Sequence, residues 1–86
     1  MNNLPEIKEK IKQFILENTY VATDQVQNDT LIFAQGIFDS MGFISLISFL
    51  EQTFDVKAKD SELLEDNFES IDAMAGFVLR KLNPEN

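Results

Sequence analysis

The chain contains no cysteine and no histidine among its 86 residues. The first absence removes disulfides and thiolate nucleophiles, and the two together remove the usual zinc ligands. Loss of histidine also removes the side chain that most often acts as a base near neutral pH. Any thiol chemistry done with this chain therefore needs a sulfur supplied by an added group. Absence of cysteine also agrees with a reducing compartment.

Long apolar runs are missing too. No stretch approaches the roughly 20 residues of a membrane span, and the N-terminal segment, with Pro5 and alternating Glu and Lys, has no signal-peptide core. The expectation is a cytoplasmic, monomeric protein that does not insert into membranes. Basic residues are scarce, seven Lys and Arg against fifteen Asp and Glu, for a formal charge of −8. The deficit is concentrated in the middle: residues 21–72 hold eleven acids against only Lys57 and Lys59, a local balance of −9. Such a field repels nucleic acid and anionic membranes and steers basic protein surfaces toward this region. Acidity of this size also serves solubility alone.

Length sets a further bound. At 86 residues and 44% hydrophobic composition the chain can fill one core but hardly two, so residues 1–86 are expected to form a single domain. A chain this small buries only roughly 60% of its unfolded surface, which leaves no room for a deep catalytic cavity. Its function is expected on the surface. An enzyme in its own right would have only carboxylates, hydroxyls, Tyr20 and lysines to work with, and no motif groups them.

Apolar spacing outlines the elements. Leu4, Ile7, Ile11, Phe14 and Ile15 recur at helical intervals over residues 4–18, with Pro5 suited to the first turn and Asn18-Thr19 to the end. Residues 19–39 follow neither period. A connection so long needs anchors, and Val21, Val26, Leu31, Ile32, Phe33, Ile37 and Phe38 are available, with Gly36 free to adopt positive φ. Residues 40–54 form a second helix that sets Phe43, Ile44, Ile47, Leu50 and Phe54 on one face, widened by Leu46 and Phe49; Ser45, Ser48, Glu51, Gln52 and Asp55 occupy the other. Asp60 or Ser61 caps a short third helix over residues 62–67, with Leu63, Leu64 and Phe68 as core contacts. Ser70 caps a fourth, carrying Ile71, Met74, Ala75, Val78, Leu79 and Leu82 in register, Arg80 and Lys81 near its negative end, and Pro84 as its stop. Three long helices and one short one, with no period-2 segment, predict an all-α four-helix bundle filled by Phe14, Phe43, Phe49, Phe54, Phe68 and Phe77.

One segment stands out chemically. Gly36-Ile37-Phe38-Asp39-Ser40-Met41-Gly42 joins the long loop to the second helix and sets a hydroxyl at its N-terminus. Unpaired N–H groups and a partial positive charge collect there, so a phosphate ester on Ser40 would lie where anions are favoured. Asp39 beside it could help hold a divalent cation of the kind that accompanies phosphoryl-type transfer. Asp and Ser are also among the commonest helix caps, and the dipeptide alone specifies neither cargo nor partner.

Residues 29–79 add a specific pattern. A Gly-x-x-Asp-Ser-Met box opens the second helix, Glu51-Gln52-Thr53-Phe54 ends it, and a short helix leads through Phe68-Glu69-Ser70-Ile71-Asp72 into the last. In order and spacing this resembles the phosphopantetheine-binding acyl carrier protein family, and residues 4–18 fit that family's first helix more loosely. The resemblance implies that Ser40 is esterified with 4′-phosphopantetheine by a phosphopantetheinyl transferase using coenzyme A, and that Asp39 assists that metal-dependent modification. It also implies that the arm's thiol holds acyl or aminoacyl groups as thioesters. The partners implied are an acyl- or aminoacyl-loading ligase and downstream synthase or transferase enzymes, and the chain itself is non-catalytic.

Docking would use Met41, Gly42, Ser45, Ser48, Glu51 and Asp55. Carriers of bacterial fatty acid synthesis usually present several acids along the first turns of this helix, whereas Gly42, Ser45 and Ser48 stand here. Asp39-Ser40-Met41-Gly42 also resembles the box of D-alanyl and other aminoacyl carrier proteins. Both features favour a specialised system over general fatty acid synthesis; polyketide, nonribosomal-peptide and related pathways stay open. The competing reading is an acidic interaction module that keeps the bundle without the cofactor, in which Ser40 would be dispensable.

Overall fold

The computed structural model describes residues 3–82, which form four α-helices and no strand. Helix α1 spans Leu4–Glu17. Asn3 caps it, its side-chain oxygen accepting the Glu6 amide at 3.0 Å, and Pro5 sits in the first turn, where a missing N–H costs nothing. Ile7, Ile11 and Ile15 are fully buried. They form one ridge along α1, and burial of each is worth about 1.5–3 kcal/mol relative to exposure.

The connection from Asn18 to Asp39 contains a single 3₁₀ turn at Thr23–Gln25 and is tied down from outside. The Ile32 amide donates to the Glu69 carbonyl at 2.9 Å, and the Asp72 amide donates to the Asn28 carbonyl at 2.9 Å, so the loop is laced onto the start of the last helix. Val26, Ile32 and Phe38 are buried beneath it. Leu31, expected as an anchor, is 43% exposed, while the Ile32 bond to Glu69 sets Ile32 inward.

Helix α2 spans Ser40–Phe54. Leu46, Leu50 and Phe54 form its buried line, while Ile44, placed in the core from its spacing, is 65% exposed. So many apolar residues surround this helix that spacing alone could not say which of them faces out. Asp55 ends it in the left-handed conformation at φ 56, which Asp tolerates better than most residues.

The expected third helix over residues 62–67 is split. A 3₁₀ turn covers Asp60–Glu62, and helix α3 is confined to Glu65–Phe68. Neither Asp60 nor Ser61 caps either piece; the Glu62 carboxylate instead accepts the Lys59 amide at 2.8 Å. Leu63 and Leu64 lie between the two turns at 37% and 57% exposure, so of the expected trio only Phe68 is core. Helix α4 spans Ile71–Leu82. Ser70 caps it as expected, its hydroxyl accepting the Ala73 amide at 3.1 Å. Pro84, expected as its stop, lies outside the described residues.

Helix α4 packs against α1 and α3, and a Lys8–Asp72 ion pair of 2.9 Å joins it to α1. All eight phenylalanines form one continuous row, in the order Phe54, Phe49, Phe14, Phe38, Phe33, Phe43, Phe68, Phe77. Neighbouring ring centroids lie 4.2 to 6.4 Å apart, and all but the stacked Phe14–Phe49 pair fall within the range of about 4.5–7 Å for favourable aromatic pairs. Phe38, from the long loop, sits at the centre of the row and under the start of α2.

Candidate functional site

The site begins with how the loop delivers residue 39. Gly36 adopts φ 76, a conformation that a side chain would strain. The chain folds back there, and the Ile37 and Phe38 amides both donate to the Ile32 carbonyl at 2.8 and 3.1 Å. Phe38 turns into the core at 7% exposure. Asp39 follows in extended backbone as the N-cap of α2, its carboxylate accepting the Gly42 amide at 3.0 Å. Ser40 is thus the first residue of a fifteen-residue helix, in the turn where N–H groups lack intrahelical acceptors and the helix dipole is positive.

Gly42 has a role its sequence position did not reveal. A Cβ built on it would overlap the Phe38 ring and lie 3.0 Å from two further ring atoms, Cγ and Cε1. The absent side chain is what lets the first turn of α2 rest on the aromatic row. Gly42 is half-buried, so it is a packing residue and not the outward docking position it was expected to be.

The other expected docking residues divide. Met41 is 74% exposed, and Ser45, Ser48 and Asp55 are exposed as well. Glu51 is not free: it is half-buried, and its carboxylate accepts the Ala58 amide at 3.0 Å, holding the chain that leaves α2. With Ile44 added and Glu51 withdrawn, the face beside Ser40 is apolar and hydroxylic. It carries no charge between Asp39 and Asp55.

Open clefts flank the cap. One, of about 420 Å³, is lined by Phe33, Phe38, Asp39, Phe43, Leu63 and Glu65. Another, of about 370 Å³, lies on the opposite side of Asp39 against Asn18, Ile37, Met41, Gly42 and Ser45. Among the described residues no three acids gather into a metal-binding group, and Asp39 is the acid next to Ser40 in sequence. Tyr20 is fully exposed, while Lys8 and Lys81 are engaged with Asp72 and Glu62. Among the described residues no helix is long and apolar enough to cross a membrane.

Glu62 supports the wall of the first cleft. Lys81 donates to both of its carboxylate oxygens at 2.9 and 3.2 Å, and the Asn67 side chain donates to its carbonyl at 2.8 Å. The 59–67 segment is thereby clasped to α4, with Leu63 and Glu65 positioned on the cleft. The Lys59 amide, followed by the Lys81 ammonium, holds the Glu62 carboxyl below its ordinary value. The sequence gives no signal for this clasp, whose members are 19 residues apart.

Comparison with known proteins gives a family. Residues 9–78 match the model described as the phosphopantetheine attachment site. No curated protein matches the chain.

Proposed function

The chain belongs to the phosphopantetheine-binding carrier family, whose cofactor is a covalently attached 4′-phosphopantetheine, and on that premise we propose that the arm is attached at Ser40. The observation that carries this is the position of Ser40, first in α2 and directly after the Asp39 cap, inside the matched segment. The local chemistry fits the group. A phosphodiester there meets the amides of a first helical turn, and clefts on both sides of Asp39 leave room for a modifying enzyme. In the modification the Ser40 oxygen bonds to the pantetheine-side phosphorus of coenzyme A. The phosphoanhydride bond breaks, 3′,5′-ADP leaves, and the serine proton passes to the transferase. Asp39 is the residue we assign to assist the metal that accompanies this step.

Once attached at Ser40, the arm would supply the thiol on which an acyl or aminoacyl group is carried as a thioester. We assign the chain to a dedicated system, aminoacyl or secondary-metabolic, in preference to general fatty acid synthesis, because the face beside Ser40 offers Met41, Ile44, Ser45 and Ser48 where a basic docking patch would need acids. Its partners would be the transferase, a loading ligase and a downstream synthase or transferase, all in the cytoplasm. A radius of gyration of 12.0 Å is what a compact domain of this length has, which supports reading the chain as one domain; we assign it to work as a monomer.

The test is intact-mass spectrometry after incubation with coenzyme A and a broad-specificity phosphopantetheinyl transferase. Wild type is expected to gain one phosphopantetheine and Ser40→Ala none. A wild type left unmodified by several transferases would replace the carrier reading with that of an interaction module.

A further inference from the structure

Two grooves along α2 are continuous. The cleft beside Asp39, Met41 and Gly42 shares Asn18 and Ser45 with a second, of about 490 Å³, that extends along the helix past Ile44, Ser48, Gln52 and Thr53. The floor is aromatic and aliphatic, made of Ile37 and Phe38 at the near end and Phe14 and Phe49 farther on. Its walls are hydroxyls and carboxamides. Among the described residues, the side chains of Ser45, Ser48, Gln52 and Thr53 make no hydrogen bond to the protein, and Asn18 commits only its N–H group, which donates to the Phe14 carbonyl at 2.8 Å. Apart from Asp39 at the near end, the lining of both grooves is uncharged.

We propose that this groove between α1 and α2 is the resting berth of the protein's own pantetheine arm. The proposal rests on Ser40 as the attachment point. From there the match is one of chemistry and of length. Past its phosphate, the arm is an uncharged chain bearing two amides, one hydroxyl and a geminal dimethyl group. Free hydroxyls and carboxamides along the walls suit the amides, and the apolar floor suits the methyls. From serine oxygen to sulfur the arm has about 14 bonds, a reach of roughly 16 Å at the ~3.5 Å spanned by three backbone bonds. Along α2, at about 1.5 Å per residue, Ser48 lies roughly 12 Å and Gln52 roughly 18 Å from Ser40. An arm leaving Ser40 along this groove therefore brings its thiol among Ser48, Gln52 and Thr53.

The opposite cleft is a poorer host for the arm itself. Phe33, Phe38, Phe43 and Leu63 line it with Asp39 and Glu65, so its only polar side chains are carboxylates, which cannot donate to the arm's carbonyls when ionised. Berthed in the other groove, the arm would cover Met41 and Ile44, the exposed apolar residues of the docking face. A partner that engages that face would then displace the arm and release its thiol.

The test uses the full chain in holo form, with modification at Ser40 first verified by mass. Because the protein has no cysteine, the arm's thiol is the only site for a thiol-reactive nitroxide label. Paramagnetic broadening of backbone amides then maps where the arm's end resides. The expected result is broadening at Asn18, Ser48, Gln52 and Thr53 severalfold stronger than at Leu63 and Glu65, and a clear loss of that bias in a Ser48→Ala/Gln52→Ala variant. Unlabelled holo protein should give nuclear Overhauser contacts from the geminal methyls, which sit near the serine, to Ile37, Met41 or Ile44. Equal broadening around the start of α2, or broadening centred on Leu63 and Glu65, would overturn the berth. If the preliminary mass analysis found no modification, or placed it at a residue other than Ser40, the Ser40 assignment would be overturned instead.

Discussion

Gly42→Ala is the most informative perturbation of the scaffold, because two effects of known sign oppose each other there. Alanine is favoured over glycine within a helix by about 0.8–1 kcal/mol, so on propensity alone the variant would be more stable. The structure predicts the reverse. The new Cβ overlaps the Phe38 ring, and that ring is 7% exposed, between Phe14 and Phe33 in the aromatic row. Overpacking of this kind costs about 1–3 kcal/mol, giving a net loss near 1 kcal/mol. For a domain of this size that corresponds to a fall of roughly 4–8 °C in Tm. The decisive comparison is the same substitution in a Phe38→Val background, which removes the overlapping ring edge. There Gly42→Ala should stabilise by about its propensity value, a coupling of about 1–3 kcal/mol that chemical denaturation of the four proteins would measure. Equal stabilisation in both backgrounds would refute the idea that Gly42 exists to seat α2 on Phe38.

Other predictions concern the surface and the clasp. Ile44→Ser should leave stability nearly unchanged, since the side chain is 65% exposed, yet raise the KM of a modifying transferase roughly tenfold, about 1.4 kcal/mol, with kcat unaffected. Asp55→Asn keeps a residue that tolerates the left-handed cap, so partner association should slow and lose part of its salt dependence while the melting curve stays in place. Glu62 has a folded-state pKa below its ordinary value of 4.5. Its contribution to stability is therefore present above that value and lost as pH falls through the folded-state value. A carbon-detected NMR titration should find the Glu62 midpoint below those of free glutamates, and Lys81→Met should raise it; an unshifted midpoint in wild type would remove the clasp.

Local signals made most of the bundle legible. The 3.6-residue spacing of Ile7, Ile11 and Ile15, the Asp39 and Ser70 caps and the Gly36 turn all depend on neighbours a few residues away, and each is found where the sequence placed it. What escaped depends on distant partners. Leu63 and Leu64 read as helical core because nothing local shows that Glu62 is clasped by Lys81, nineteen residues away, which ties the segment between the two turns to the last helix. Ile44 read as buried because α2 is apolar over much of its circumference, and the choice of inward line is made by the loop that brings Phe38 under Gly42. Glu51 read as a docking acid because the Ala58 amide it accepts lies seven residues on, past the end of α2, and leaves no trace in the local pattern. At the site, the family pattern around Asp39-Ser40 was visible from the start, whereas the groove beside it is formed jointly by α1 and α2 and has no linear signature.

The central claim is that Ser40, and no other hydroxyl, carries the arm. The intact mass of the wild type leaves this open, and so does a tryptic peptide mass, because trypsin cuts after Lys12 and Lys57 but nowhere between them, so Ser40, Ser45 and Ser48 share one peptide. Electron-based fragmentation of that peptide, taken from protein modified by a transferase, places the added mass at a single residue. The expected result is phosphopantetheine on Ser40 with Ser45 and Ser48 unmodified; the added mass on either of those two serines would contradict it.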